Sequence, residues 1–251
     1  MPALSFRPLA GIPEIRPGDD LAAMIAASLG DASTAGLLIA IAHTVVSKAE
    51  GATVDLTTVS PGAQAIELAA GQDKDPRMIQ VVLDESAELI RAERGVLISR
   101  TRHGFVCANA GVDASNAGGS DLAILLPRDP DASARRIRGG LAALGHGLPP
   151  AVLITDSFGR AWRHGQVDVA IGLAGMDALD DWRGRTDAEG MELKATWLAI
   201  ADAAAAAADL ARSKDSREPI VAIEGLERFV TAQDGPGAAA LLRPLQEDLF
   251  G

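Results

Sequence analysis

The run Gly36 to Val46 (GLLIAIAHTVV) is an almost unbroken apolar stretch of strand length. A run of this kind belongs to a strand covered on both faces, and so to a sheet held between layers. It ends in Ser47-Lys48, and a lysine just beyond a buried strand is ordinarily a solvated cap. A second short buried-type strand, Ala151 to Thr155, runs into Asp156-Ser157-Phe158-Gly159-Arg160-Ala161-Trp162-Arg163, read as a polar loop. A third segment, Gly95 to Val106, alternates and then gives way to Cys107-Ala108-Asn109-Ala110-Gly111-Val112-Asp113-Ala114-Ser115-Asn116. Two strand ends therefore each deliver an aspartate into small, polar sequence. Alone, Asn109 to Asp113 is an Asx-rich turn. As a pair, Asp113 and Asp156 offer hard oxygens to a divalent cation, and the glycine lets a bulky anion approach the backbone.

A chain of 251 residues can bury a large core, and with 48% hydrophobic and 23% charged residues its composition is globular. The net charge of -11 argues against a nucleic-acid surface, which needs a basic field. An anionic substrate must then be met by a local cluster of cation and metal. The single cysteine, Cys107, rules out an internal disulfide and fits a reducing cytoplasm. There is no basic-apolar-small leader pattern and no run of the ~18 uninterrupted apolar residues that a membrane span needs, so a soluble, cytoplasmic protein is expected. No repeat, low-complexity linker or clear boundary divides the chain. Residues 1–251 are read as one unit, with any subdomains intimately associated.

In chain order, Phe6 to Ile15 reads as an edge strand and loop broken by Pro8 and Pro13. Asp19 or Asp20 caps a helix with Leu21, Met24, Ile25 and Leu29 on one face, and Gly30 ends it. Ser60-Pro61 starts a helix, and Asp75-Pro76 starts another with Ile79, Val82, Leu83 and then Leu89 and Ile90 as its apolar set. Val96 to Ser99 and Phe105 to Cys107 form a hairpin around Arg102-His103-Gly104. Leu122 to Leu126 is a strand closed by Pro127, and Ser133 to Leu144 a helix whose Arg135, Arg136 and Arg138 form a solvated face. Val167 to Leu173 is a strand. Thr186 to Glu189 is a capping box that starts the longest helix, with Leu193, Trp197, Ile200, Ala201, Ala204 and Ala208 inward. Ile220 to Ile223 is the last strand.

No P-loop or Rossmann glycine pattern is present. One cysteine and four scattered histidines give no tetrahedral zinc set, so magnesium or manganese suits the oxygen donors better. Cys107 reads as a small buried hydrophobe. No histidine is assigned acid/base work. Arg160 and Arg163 could grip a phosphate or carboxylate bidentately, or could be surface arginines stacked on Trp162.

Taken together, Gly104 to Asn116 and Asp156 to Arg163 resemble the coenzyme F420:L-glutamate ligase family. Gly11-Ile12-Pro13-Glu14-Ile15, Ser47-Lys48-Ala49-Glu50-Gly51 and Asp168-Val169-Ala170-Ile171-Gly172 fit in the same order. The resemblance runs from about Leu9 to the C-terminus. It implies an α+β fold of mixed, largely antiparallel sheets with packed helices, and an intertwined homodimer. The implied activity is GTP-dependent joining of L-glutamate to the F420 precursor through an acyl phosphate, with further gamma-linked glutamates in some members. The implied cofactors are magnesium or manganese, with potassium as a further cation, and GTP is a co-substrate.

The resemblance also assigns roles. Asp113, Asp156 and Ser157 hold divalent metal, and Lys48 with His43 and Thr44 holds nucleotide phosphates. Ile12, Pro13, Glu14, Ile15 and Asn116 contact the nucleotide. The last nucleotide loop departs from the family pattern: Ser213-Lys214, with Pro219, stands where a glycine and a glutamine or lysine are usual. Lysine cannot replace a glutamine ligand, so Lys214 is expected at phosphate. A metal-dependent phosphohydrolase and a non-catalytic nucleotide-binding regulator are the alternative readings.

Overall fold

The computed structural model describes residues 3–30, 32–71, 74–114, 121–145, 148–212 and 216–248. The chain opens with β1 (Ser5–Pro8) and α1 (Leu21–Leu29), the helix capped by the Asp20 carboxylate accepting from Ala23 N at 3.1 Å. β2 (Leu38–Ala42) passes directly into α2 (His43–Glu50), which Gly51 ends in a left-handed conformation. β3 (Thr53–Asp55), α3 (Ala63–Ala70) and α4 (Pro76–Asp84) follow, with Asp75 as N-cap and Pro76 in the first turn of α4. Next come β4 (Ser86–Glu93), β5 (Val96–Thr101), β6 (Val106–Ala108) and β7 (Leu122–Ile124). α5 (Pro130–Leu144) is capped by Asp129 and precedes the long hairpin β8 (Ala151–Arg160) and β9 (Arg163–Ala174). β10 (Asp180–Asp181), β11 (Trp197–Leu198), α6 (Ile200–Ala211) and β12 (Ile220–Glu224) complete the regular elements described.

The central sheet has the order β1-β12-β2-β8-β9. Only β2 and β8 run parallel; the other neighbours are antiparallel. The fold is thus α+β with mixed, largely antiparallel sheets. Alternation along the strands sends Ile39, Ile41, Val152, Ile154 and Ile171 to one face, where they pack with α1, α2 and α5. Leu38, Ala40, Leu153, Ala170 and Val221 face the other side, against the alanine stripe of α6. The small side chains of Ala201, Ala204, Ala205 and Ala208 let this helix lie close to the sheet. α3 and α4 pack with the β4-β5-β6 sheet and the β3-β7 pair around two smaller cores. Among the described residues, no helix is long and apolar enough to cross a membrane.

Several boundaries differ from the sequence expectation. The strand in Gly36 to Val46 ends at Ala42, and His43 to Glu50 are helical. A short apolar run carries no period that separates strand from buried helix; the helix packs Val45 and Val46 into the core under the sheet, and Gly51 in a left-handed conformation ends it. Asp156 and Ser157 lie within β8 and not in a loop, because β9 pairs with that strand as far as Arg160. α3 starts at Ala63 with Gly62 as N-cap, two residues beyond Pro61, and Gln80 Oε1 accepts from Gly62 N at 2.8 Å. α4 stops at Asp84, so Leu89 and Ile90 belong to β4.

α5, at 15 residues, is the longest helix among those described, and it begins at Pro130. The segment expected to start the longest helix is instead a turn: the Asp187 carboxylate accepts from Glu189 N and Met191 N, and Gly190 has φ +84. A helix begins only at Ile200, leaving Trp197 half-exposed on β11. Arg138 does not belong to a solvated face. It is buried, with Nη1 2.7 Å from Asp234 Oδ1 and Nη2 donating to Thr231 O at 2.7 Å. Cys107 is buried as expected, and burial pushes its thiol up to about 12, so it is not a thiolate nucleophile.

Two adjacent glycines of α5 give a test of the layer packing. A Cβ at Gly140 would lie 2.6 Å from the Ala22 Cβ of α1, whereas one at Gly139 would meet nothing within 4 Å. Gly139→Ala should stabilise by roughly 0.5–1 kcal/mol through helix propensity. Gly140→Ala should destabilise by about 1–3 kcal/mol through overpacking. Denaturant melts of the two variants beside the parent check the opposite signs.

Candidate active site

The site forms where the central sheet runs out. β2 ends at Ala42, opposite Thr155 of β8, and β8 continues beyond that point paired only with β9. A cleft of about 420 Å³ opens there, beyond the carboxyl end of β2 and alongside the continuing β8. Ile12, Pro13, Glu14 and Ile15 form one wall; His43, Thr44 and Lys48 come from α2; Asp113, Asp156 and Ser157 come from the two aspartate segments. Ten residues singled out from the sequence thus converge on one cavity. Asn116, Ser213 and Lys214 lie outside the described residues. Arg160 and Arg163 stand at the β8–β9 turn and do not line the cleft, and Arg160 Nη2 donates to His164 O at 2.6 Å.

Each arm has a local cause. α2 starts straight from the strand with no side-chain cap, so the amides of its first turn face the cleft end of β2. Lys48 is on the last turn of this helix, not past a strand end, and its Nζ lies 2.6 Å from Glu14 Oε1. Glu14 is 76% exposed, so this pair is weak and easily exchanged for a stronger anion. The Asp113 arm is bent by Asn109, Ala110 and Gly111, all at positive φ. Gly111 is required there on a second ground, since a Cβ would lie 2.8 Å from the Leu126 side chain. The turn then locks to β7, with Asp113 N donating to Ile124 O at 2.9 Å and Ile124 N to Asp113 O at 2.8 Å.

Asp156 faces the α2 side of the sheet, where His43 Nε2 lies 3.4 Å from its Oδ1. Burial pushes the Asp156 carboxyl above the ordinary carboxylate range. His43 and the Ser157 amide, which donates at 2.7 Å, pull it down; Asp168 and Asp113 push it up again. His43 thus does meet an acidic partner, which the sequence, with four scattered histidines, does not reveal. Its Nδ1 is buried and has no hydrogen-bond partner among the described residues.

Ser157 faces the opposite side, directly across from Asp168 of β9. Asp168 is buried and accepts from Thr155 Oγ1 at 2.8 Å, from Ser157 Oγ at 2.6 Å and from Arg212, the residue that ends α6. Thr155, Asp209, Arg212, Arg217 and Glu218 also line the cleft and are not singled out by sequence motifs. Asp168 lines it too; it opens the family-like stretch Asp168 to Gly172, to which the sequence analysis gives no site role. A second signal for it is physical: a carboxylate on the inward-facing phase of an apolar-alternating strand needs a buried partner.

The donor chemistry fits a hard divalent cation. Two carboxylates and a hydroxyl oxygen share a cleft whose acidic groups repel one another. Among the described residues, no group of three or more His, Cys, Asp or Glu side chains is placed to hold a metal by itself. The cation that such a set suits is one that keeps waters and completes its shell with substrate phosphate oxygens.

Comparison with known proteins shows which family the chain is in. A family model described as F420-0:Gamma-glutamyl ligase matches residues 11–225. A protein of Methanopyrus kandleri named coenzyme F420:L-glutamate ligase is 43% identical, over 100% of this chain and 98% of its own length. Proteins of the same name from Methanothermobacter thermautotrophicus and Halobacterium salinarum are each 43% identical. The alignments cover 96% of both chains in the first case, and 93% of this chain and 94% of the relative in the second. The matched region spans every described arm of the cleft, from Ile12 to Pro219, and the chain belongs to the F420-0:gamma-glutamyl ligase family.

Proposed function

We propose that this protein uses GTP to join L-glutamate to the terminal carboxylate of the F420 precursor through an acyl phosphate. The observation that carries the reading is the convergence in one cleft of a nucleotide-type wall, a lysine and two metal-type aspartates. The names of the relatives supply the substrates. The precursor carboxylate oxygen attacks the γ-phosphorus, the bond to the bridging oxygen of GDP breaks, and GDP leaves. The glutamate amine then attacks the acyl carbon, phosphate departs and the amine loses a proton. Phosphoryl transfer of this kind asks a protein chiefly for positioning and charge neutralisation.

In this reading the first-turn amides of α2 and Thr44 face phosphate oxygens. Lys48 exchanges Glu14 for a phosphate, and the wall Ile12 to Ile15 bounds the nucleotide. Asp113, Asp156 and Ser157 would hold magnesium or manganese, which supplies charge neutralisation at the transferring phosphoryl group. A homodimer accords with the exposed Met191, Trp197 and Leu198 on and beside the β10–β11 ribbon and with the exposed Leu210 of α6. The close approach of His43 and Asp156 is the one feature that favours hydrolysis by an activated water, and the tests below separate the two.

Asp113→Asn and Asp156→Asn each remove a charged oxygen donor with almost no change in volume. Each should lower turnover by more than about 100-fold, beyond the 10–100-fold typical of losing an outer partner of a metal ligand. Manganese calorimetry on both variants should show the lost affinity beside an unchanged melting curve. Lys48→Ala should cost about 1.5–3 kcal/mol at the nucleotide, read as a rise in the GTP Michaelis constant or a fall in turnover while the glutamate constant stays put. Kinetics like the parent's would return Lys48 to a solvated role.

Oxygen labelling decides the reaction type. With the label in the precursor carboxylate, the acyl-phosphate route must carry one labelled oxygen into the released phosphate, because that oxygen bridges the intermediate. GTP should stay intact until precursor is added, and amide should form only with glutamate as well. Brisk GTP hydrolysis without precursor, or unlabelled phosphate, would reject the ligase mechanism in favour of the hydrolase.

A further inference from the structure

A second cavity, of about 360 Å³, opens away from the cleft and is large enough for a molecule of amino-acid size. β9 carries the chain there: at about 3.3 Å per residue, Ala174 lies roughly 20 Å beyond the cleft-lining Asp168. Met176 and Val230 then pair as an antiparallel bridge, which brings their neighbours Asp177 and Phe229 together. The cavity forms between this bridge and the start of the β10–β11 ribbon, with Leu179 as an apolar wall. Asp180 and Trp182 line it, whereas Asp181 and Arg183 do not; these two pair with each other at 2.7 Å, and Arg183 lies over Trp197. The exposed Met191, Trp197 and Leu198 also stand outside the cavity.

Two arginines reach this cavity, and each lies on an aromatic ring. Arg228 Cζ is 4.3 Å from the centre of the Phe229 ring, and Arg185 Cζ is 5.1 Å from that of Trp182. Stacking holds a guanidinium in place and leaves its N–H donors unspent. Asp180, the carboxylate beside Arg185, is already engaged. Its Oδ2 accepts from Trp182 Nε1 at 2.8 Å, and its Oδ1 stands 3.7 Å from Arg185 Nη2, beyond hydrogen-bond reach. Among the described residues, Arg228 has no carboxylate partner and Asp177 no cationic one. In a chain of net charge -11, an arginine left without a carboxylate needs a reason. The cavity thus offers two guanidinium forks and one unengaged carboxylate. Its chemical complement is a small molecule with two carboxylates and one ammonium group.

We propose that this cavity is a second binding site, separate from the cleft, for an acidic amino acid. Arg185 and Arg228 take its carboxylates and Asp177 takes its ammonium group. The choice of L-glutamate as the ligand rests on the ligase reading above. A molecule held roughly 20 Å from the cleft is not the one whose amine reacts, since reacting atoms must come within about 3.5 Å. The test titrates L-glutamate by calorimetry into the full chain, with no nucleotide, metal or precursor present. It repeats the titration with glutarate, which keeps both carboxylates and lacks the ammonium group. The parent should bind L-glutamate at least about 10-fold more tightly than glutarate. Arg228→Gln should weaken both ligands about 10-fold or more. Asp177→Asn should bring L-glutamate down to the affinity of glutarate. Arg228 and Asp177 are exposed, so both variants should keep the parent's melting curve.

A parent that binds no L-glutamate, or an Arg228→Gln variant that binds it as the parent does, would overturn the proposal. So would an Asp177→Asn variant that still prefers L-glutamate to glutarate. Binding lost in Lys48→Ala and kept in Arg228→Gln would put the amino acid in the cleft and likewise remove the second site. The two readings fail separately. An active ligase without this binding loses only the second site, whereas a chain that binds L-glutamate here and makes no amide loses only the ligase reading.

Discussion

Everything at the site depends on side-chain alternation along a strand that outruns its sheet. Neighbouring residues of β8 point to opposite faces, so Asp156 looks toward α2 while Thr155 and Ser157 look toward α6. Inside the sheet that would put them in separate cores. Because β2 stops at Ala42, the residues of β8 from Asp156 onward have one strand beside them and not two. Both faces then open on the same cleft, and groups from opposite layers line it together. The parallel pairing of β2 with β8 adds a further element: α2 must start where β2 ends, so its unpaired amides arrive at the same place.

A protein of net charge -11 that handles anions must concentrate its cations. Lys48 and Arg212 do so at different depths. Lys48 is held by an exposed glutamate, an arrangement with little net stability and therefore little resistance to exchange. Arg212 and Asp168 are both almost wholly buried, where removing one partner strands the other's charge. The first contact suits the phosphate-meeting role proposed for Lys48. The second suits a fixed scaffold. The repulsion among Asp113, Asp156 and Asp168, which adds to the rise in the Asp156 pKa, is what a divalent cation in the cleft would relieve.

Much was legible in the chain itself. The capping residues Asp20, Asp75-Pro76 and Gly30, the hairpin around Arg102 to Gly104 and the strand at Ile220 follow from local stereochemistry. The two aspartates, Lys48 and the Ile12 to Ile15 wall were recognisable because their stretches keep the residue types and order of the family, and they meet in one cleft. What only the tertiary structure decided depends on contacts distant in sequence. Whether His43 to Val46 continues a strand or turns into a helix is not written in an unbroken apolar run; packing of Val45 and Val46 under the sheet resolves it. Arg138 reads as a surface charge until Asp234 and the carbonyl of Thr231, nearly a hundred residues on, are folded around it. Asp168 and Arg212 are 44 residues apart, with no motif spacing to join them, and become one unit only when α6 packs across the hairpin. Local sequence sets propensities and supplies side chains, but burial and partner choice arise from long-range packing. The cleft residues were therefore visible in the sequence, and the Arg212 contacts that tie them to α6 were not.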